Sequence, residues 1–264
     1  MKKHKSSDHE GYVNEIFMPG IIGDNLKSSI LTMFNKIKEN QVIPEFMKMA
    51  EVTTIPKSGS KIEPKNERGV FRVSILRGIL MRIIYNRKYP LIEENMSDCQ
   101  IGARKGKRCS NNIFITNGLI HEANSSIHQK PITMQIYDYS QMYDSMHLKS
   151  AVCDLFEYGI QDDTLSLLYH ANKTVKMAVK TPYGLTVWQT LKNVVLQGDT
   201  WGPSMASVQV DSIGQKCMEA GNYYLYKKQL PIGILGMCDD MIGVTEAGYK
   251  AHKLFINSQS VTPR

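Results

Sequence analysis

Two adjacent carboxylates, Asp239 and Asp240, stand between the apolar runs Leu235-Gly236-Met237-Cys238 and Met241-Ile242-Gly243-Val244, each long enough for a short strand. A buried strand cannot hold two unpaired charges, so the pattern predicts a tight β-hairpin with the acids at its tip. Side by side, two carboxylates repel, and one must protonate unless a cation lies between them. Hard oxygen ligands of this kind suit Mg²⁺. A plain solvated turn also favours aspartate. The pair alone leaves both readings open, and the rest of the chain has to decide.

The chain has 264 residues, 42% hydrophobic and 22% charged, which fits one large globular domain or two small ones. No apolar run reaches membrane-spanning length, and the lysine-rich start lacks the apolar segment of a signal peptide. Five cysteines form no Cys-x-x-Cys pair and read as reduced thiols of an intracellular protein, in nucleus or cytoplasm. The net charge of +7 is uneven: residues 1–110 hold 20 Lys+Arg against 12 Asp+Glu, the remainder 12 against 13. A basic half beside an acid-bearing half suits a protein that holds phosphates with one and performs metal chemistry with the other.

Apolar spacing predicts helices over 25–40 and from Leu76 to about Arg87, and an amphipathic helix through Leu148, Ala151, Val152, Leu155 and Phe156. Strict alternation predicts a strand from Ile132 to Tyr137 running directly into Asp138, and a hairpin through Val175–Val179, Gly184 and Leu185–Trp188. Pro203 opens a helix to about Ala220, Tyr223–Tyr226 and Ile232–Cys238 read as strands, and a last helix is expected over Ala247–Ile256. The mixture is α+β, with helices packed on one face of an antiparallel sheet. Asp138 therefore ends a strand much as Asp239 and Asp240 do. Acids from neighbouring strand ends are what two-metal phosphoryl transfer requires.

Three segments together carry a resemblance: Asp138-Tyr-Ser-Gln-Met-Tyr143-Asp144, Val195-Leu-Gln197-Gly198-Asp199-Thr-Trp-Gly-Pro203, and Met237-Cys238-Asp239-Asp240. In this order they resemble motifs of reverse transcriptases, closest to the type encoded by non-LTR (LINE-like) retrotransposons. The first half of the chain is similar too. Lys5-Ser-Ser-Asp8-His-Glu10-Gly11, Ile55-Pro56-Lys57 with Asn66-Glu67-Arg68, Asn86-Arg87, and Gln100-Ile-Gly102-Ala-Arg104-Lys-Gly106 resemble the family's fingers motifs.

The resemblance implies a right-hand polymerase: a fingers-like basic region over 1–130 and a palm with an antiparallel sheet over 131–264. It implies an RNA-directed DNA polymerase that adds dNTPs to a DNA primer on an RNA template, with two Mg²⁺ ions, or Mn²⁺ in their place. Asp138, Asp239 and Asp240 would be the catalytic, metal-binding carboxylates. Lys57 and Arg68 would grip the triphosphate, Arg68 by its planar fork and Lys57 as a point charge. Tyr143 would lie under the deoxyribose, and Gln197 and Gly198 would lie against template and nucleotide. Arg104, Lys105, Lys107 and Arg108 would contact phosphates without reading bases.

Departures from the family pattern are Met142 where alanine is usual, Thr200-Trp201-Gly202 in place of Pro-Leu-Ser, and Cys238 before the acid pair. The sequence stops 24 residues beyond Asp240, so the thumb and the endonuclease of a full-length element protein are expected to be absent from it. The alternative expectations are an RNA-dependent RNA polymerase, against which Tyr143 and Gln197-Gly198-Asp199 speak, and a catalytically inactive, nucleic-acid-binding remnant.

Overall fold

The structure is a computed structural model that describes residues 3–4, 6–56, 66–125, 131–139, 142–196, 198–238, 240–246 and 248, the Asp144 side chain excepted. Lys57, Gln197 and Asp239 lie outside the described residues, as does most of the helix expected over Ala247–Ile256. The backbone clusters into two compact units, each made of two stretches: Met1–Tyr89 with Ile160–Gly202, and Pro90–Gly159 with Pro203–Arg264. Each unit is discontinuous in sequence because strands distant in the chain pair within one sheet.

The first unit is built on α1 (Asp24–Asn40), β1 (Met49–Pro56), β2 (Glu67–Val73), most of α2 (Ile75–Asn95), α6 (Asp163–Lys173), β4 (Thr174–Thr181), β5 (Gly184–Leu185) and β6 (Gln189–Lys192). Its sheet runs β2-β1-β4-β5, with β6 also on β4. β1 pairs in parallel with β4, Met49 opposite Lys176, while β2, β5 and β6 join antiparallel. A parallel pair needs a crossover connection, and here it runs through the whole second unit's first stretch. One face of the sheet buries Ala50 and Val175 with Leu196, Phe71, Val73 and Val194. The other face, by the two-residue period of a strand, carries Arg68, Arg72, Lys176, Lys180 and Lys192.

The second unit contains α3 (Cys109–Ala123), β3 (Thr133–Asp138), α4 (Met142–Ser145), α5 (Leu148–Glu157), α7 (Gly202–Glu219), β7 (Tyr224–Tyr226), β8 (Leu230–Ile232), β9 (Ile234–Met237) and β10 (Asp240–Thr245). Its sheet has the order β3-β10-β9, all antiparallel, and β7 and β8 form a separate hairpin. Leu235 and Val244 of this sheet are buried with Leu119, Tyr224 and Ile232, and Met134 and Ile242 pack at the edge of that cluster. The expected strand into Asp138, the helix after residue 202 and the hairpin around 238–239 are all present.

Candidate active site

β10 lies between β3 and β9, and its first residue decides the site. Asp240 stands directly opposite Asp138 on β3 and opposite Met237 on β9. Residues paired in this way project from the same face of the sheet, with Cβ atoms roughly 5 Å apart. Both carboxylates are exposed. Like charges directly opposite each other cost stability, so the pair marks a place where a cation improves the energy.

The same face is open toward the turn and closed away from it. Ile136 is 82% exposed and Met237 41%, whereas Leu235 and Val244, further along the same face, are buried. Carboxylates with hard oxygen donors on an open sheet end fit Mg²⁺. Among the described residues no group of three His, Cys, Asp or Glu side chains is gathered for a metal. Asp138 and Asp240 are two donors, and Asp239 lies outside the described residues.

Only Cys238 and Asp239 separate Met237 from Asp240, so the hairpin loop has two residues. Cys238 sits at φ 56°, in the left-handed region. The primed turns that suit two-residue hairpins require a positive φ at their first central residue. Glycine meets that demand without strain, and cysteine does not. The turn is held from outside by the segment Cys99–Gly102. The Ile101 amide donates to the Gly236 carbonyl and the Gly236 amide to the Cys99 carbonyl, both at 2.9 Å, which covers the free edge of β9. Gly102 packs so closely that a Cβ on it would fall 2.1 Å from the Cys238 nitrogen. Only glycine fits there.

The basic run behind Gly102 divides. Arg104 turns inward: its side chain is 4% exposed, pairs with Glu93 at 2.8 Å and donates to the Gln100 carbonyl at 2.7 Å. It is a strut of this loop. Lys105 and Arg108 are exposed, and Lys107 is ion-paired with Asp98 at 2.7 Å, which holds the Asp98 carboxyl below its usual range through the lysine hydrogen bond. Tyr143 is half-buried on α4, next to buried Met142.

Arg68 and Gly198 belong to the other unit. Arg68 is exposed on β2, opposite Ile55. Gly198 has φ +102°, and a Cβ there would meet the Phe71 carbonyl oxygen at 3.0 Å. The residue after it, Asp199, is buried and ion-paired with Arg77, itself fully buried. The Arg77 guanidinium also donates to the Ala171 carbonyl at 2.7 Å and to the Asn172 side-chain oxygen at 2.9 Å. Trp201 is buried too, its indole N–H donating to the Met81 carbonyl at 3.2 Å. Trp201 thus anchors the segment that leads into α7.

Sequence reasoning missed Gln100 and Arg77 as supporting residues. Arg77 stood in plain view, a cation beside the apolar stripe Leu76, Ile79, Leu80. Its partner 122 positions away could not be read.

No protein-family model matches the chain. Among solved structures it is similar to apo telomerase from Candida tropicalis truncated from its C-terminal domain, at 12% identity and TM-score 0.55, over 94% of this chain and 58% of that one. It is also similar to Candida tropicalis telomerase in complex with a TWJ fragment of telomeric RNA, at 11% identity and TM-score 0.55, over 90% of this chain and 43% of the other. The Candida albicans telomerase complex with such a fragment gives 11% and 0.51, over 88% and 42%. The chain therefore spans roughly half the length of the proteins it resembles. No helix among the described residues is long and apolar enough to cross a membrane. At this identity the likeness shows the fold alone: a mixed α+β arrangement shared with these telomerase structures.

Proposed function

We propose that this chain is the fingers and palm of an RNA-directed DNA polymerase of the non-LTR retrotransposon type. The observation that carries the reading is Asp138 directly opposite Asp240 at the open end of a three-stranded sheet, in a fold shared with telomerase.

In the reaction, the primer 3′-hydroxyl oxygen bonds to the α-phosphorus of a dNTP, the bond to the β-phosphate bridging oxygen breaks, pyrophosphate leaves, and the hydroxyl proton passes to solvent. Asp138, Asp239 and Asp240 would hold Mg²⁺, which would supply charge stabilisation of the attacking and leaving oxygens. Asp138 and Asp240 contribute a fixed geometry, since ladder pairing on both sides of β10 sets their separation before any ligand arrives. Lys57 and Arg68 neutralise the triphosphate, and Tyr143 packs against the sugar. Gly198 keeps its loop free of a side chain. Lys105, Lys107 and Arg108 hold phosphates of the nucleic acid, which makes binding fall with salt.

Primer extension tests the reading: a DNA primer annealed to RNA, dNTPs and Mg²⁺, with wild type beside Asp138→Asn. Products from wild type alone support it. Equal products from both proteins overturn the carboxylate assignment. Salt-sensitive binding of the hybrid without extension by wild type identifies a nucleic-acid-binding remnant instead.

A further inference from the structure

The turn that carries the acid pair does not hold itself. Its first residue has a left-handed backbone without being glycine, a conformation strained for any residue with a Cβ that persists when surroundings over-determine it. Those surroundings converge on one side chain. Gln100 is 1% exposed. Its side-chain carbonyl accepts from the Gly102 amide at 2.8 Å and from the Cys238 amide at 3.3 Å. Its amide nitrogen donates, at 3.4 Å, to the Ser207 carbonyl on α7, and the Ser207 hydroxyl donates to the Gly102 carbonyl at 3.0 Å. The Gln100 backbone bridges in parallel to Gly236 on β9. Gly236 is glycine for the same reason, since a Cβ there would meet the Gln100 amide nitrogen at 2.7 Å.

We propose that Gln100 is the positioning residue of the carboxylate hairpin: its buried side-chain carbonyl fixes the Cys238 amide and thereby the place where Asp240 meets Asp138. The chemistry explains the residue type. The site needs an acceptor for two amides and a donor for one carbonyl, without a charge. Glutamate lacks the donor and adds a further negative charge behind the acids, and an apolar side chain leaves the Gly102 and Cys238 N–H groups unmatched, at a cost. Only glutamine reaches all three partners. What the hairpin does rests on the polymerase reading above; how it is held does not.

Two measurements on the full chain separate the inference from that reading. In wild type, the Cys238 amide is expected to exchange its hydrogen slowly by NMR although it lies in a two-residue turn. Exchange at the rate of an open turn overturns the brace. In Gln100→Met, which keeps the side-chain volume and removes the acceptor, Mn²⁺ binding followed by loss of the free-ion EPR signal is expected to weaken about tenfold, the size seen when ligand-orienting partners are removed. A residue that only supports the fold would lower the urea midpoint and leave the Mn²⁺ affinity of the folded protein unchanged, which overturns positioning. If wild type takes up no Mn²⁺, the metal-site reading falls and the Cys238 exchange rate alone decides the brace.

Discussion

Asp138 and Asp240 are cross-strand partners, the last residue of one strand facing the first of the next. Neither helix packing nor a long loop is needed to bring these carboxylates together, because ladder register does so. A one-residue slip would turn one of them to the opposite face. The buried end of the same strands, Val244 against Met134 and Leu235 against Ile242, opposes such a slip.

Replacing one acid of this pair should separate stability from activity. Asp138→Asn removes a like-charge contact, so in EDTA the folded state should be unchanged or gain a few tenths of a kcal/mol in urea denaturation. Extension should be lost. A clear loss of stability would show that Asp138 supports the fold instead.

Gly102→Ala should be costly far beyond its single methyl group. The added Cβ meets backbone atoms of Cys238 at 2.1 and 2.8 Å, and backbone cannot rotate aside as a flexible side chain does. About 1–3 kcal/mol of destabilisation is expected, together with loss of extension, whereas alanine at Gly106, which meets nothing within 4 Å but has φ +81°, should cost about 1 kcal/mol. Denaturation of the two variants side by side checks the order.

Arg77 and Asp199 should show the asymmetry of a buried ion pair. Removing one partner strands a charge, and Arg77→Met or Asp199→Leu alone should cost about 3–5 kcal/mol. The double variant should lose clearly less than the sum of the two, since no orphaned charge remains. Additive losses in this cycle would mean that the two side chains do not depend on each other.

Asp154 gives the protein a pH-dependent weakness. It lies on the buried face of α5, where burial raises its carboxyl pKa to about 6, with Glu157 adding to the rise and Lys216 and the Ser212 hydroxyl opposing it. The folded chain therefore binds this proton more tightly than the unfolded chain, and the ionised form at neutral pH costs stability. As pH falls from about 6 toward 4, the site fills and the penalty disappears. Asp154→Asn should stabilise the protein at pH 7.5 by about 1–3 kcal/mol, and the gain should vanish near pH 4. A gain that stays constant with pH would refute the assignment.

Much of the second unit was legible because its signals are local. Alternation over Ile132–Tyr137 ends on Asp138, and the split apolar run around Cys238-Asp239 dictates a hairpin. Pro203 lies at the start of α7, as a proline at the first turn of a helix should. β2 was hidden: its Arg68, Gly69 and Arg72 mask the strand period, and it forms only by pairing along the length of β1. α2 continues through Pro90 to Asn95, where the sequence pattern suggested an end near Arg87. A helix tolerates proline when the lost bond is offset by packing elsewhere along its length.

Arg104 shows the limit of charge as a guide. In the sequence it is one of four cations in a glycine-bearing loop, indistinguishable from Lys105, Lys107 and Arg108. In the fold it is the one whose guanidinium is enclosed by Glu93 and two backbone carbonyls.

The sequence by itself determined the chemistry on offer: an acid at a strand end, an acid pair between two apolar runs, and basic residues gathered before residue 110. These are consequences of residue type and short-range period, which need no partner distant in the chain. Only the tertiary structure decided that Asp240 faces Asp138, that Gln100 and Gly102 close on Cys238, and that Asp199 is bound to Arg77. Each of those is a contact across roughly a hundred residues or more. Such contacts exist only once burial of the two cores has offset the loop-closure entropy that separates the partners.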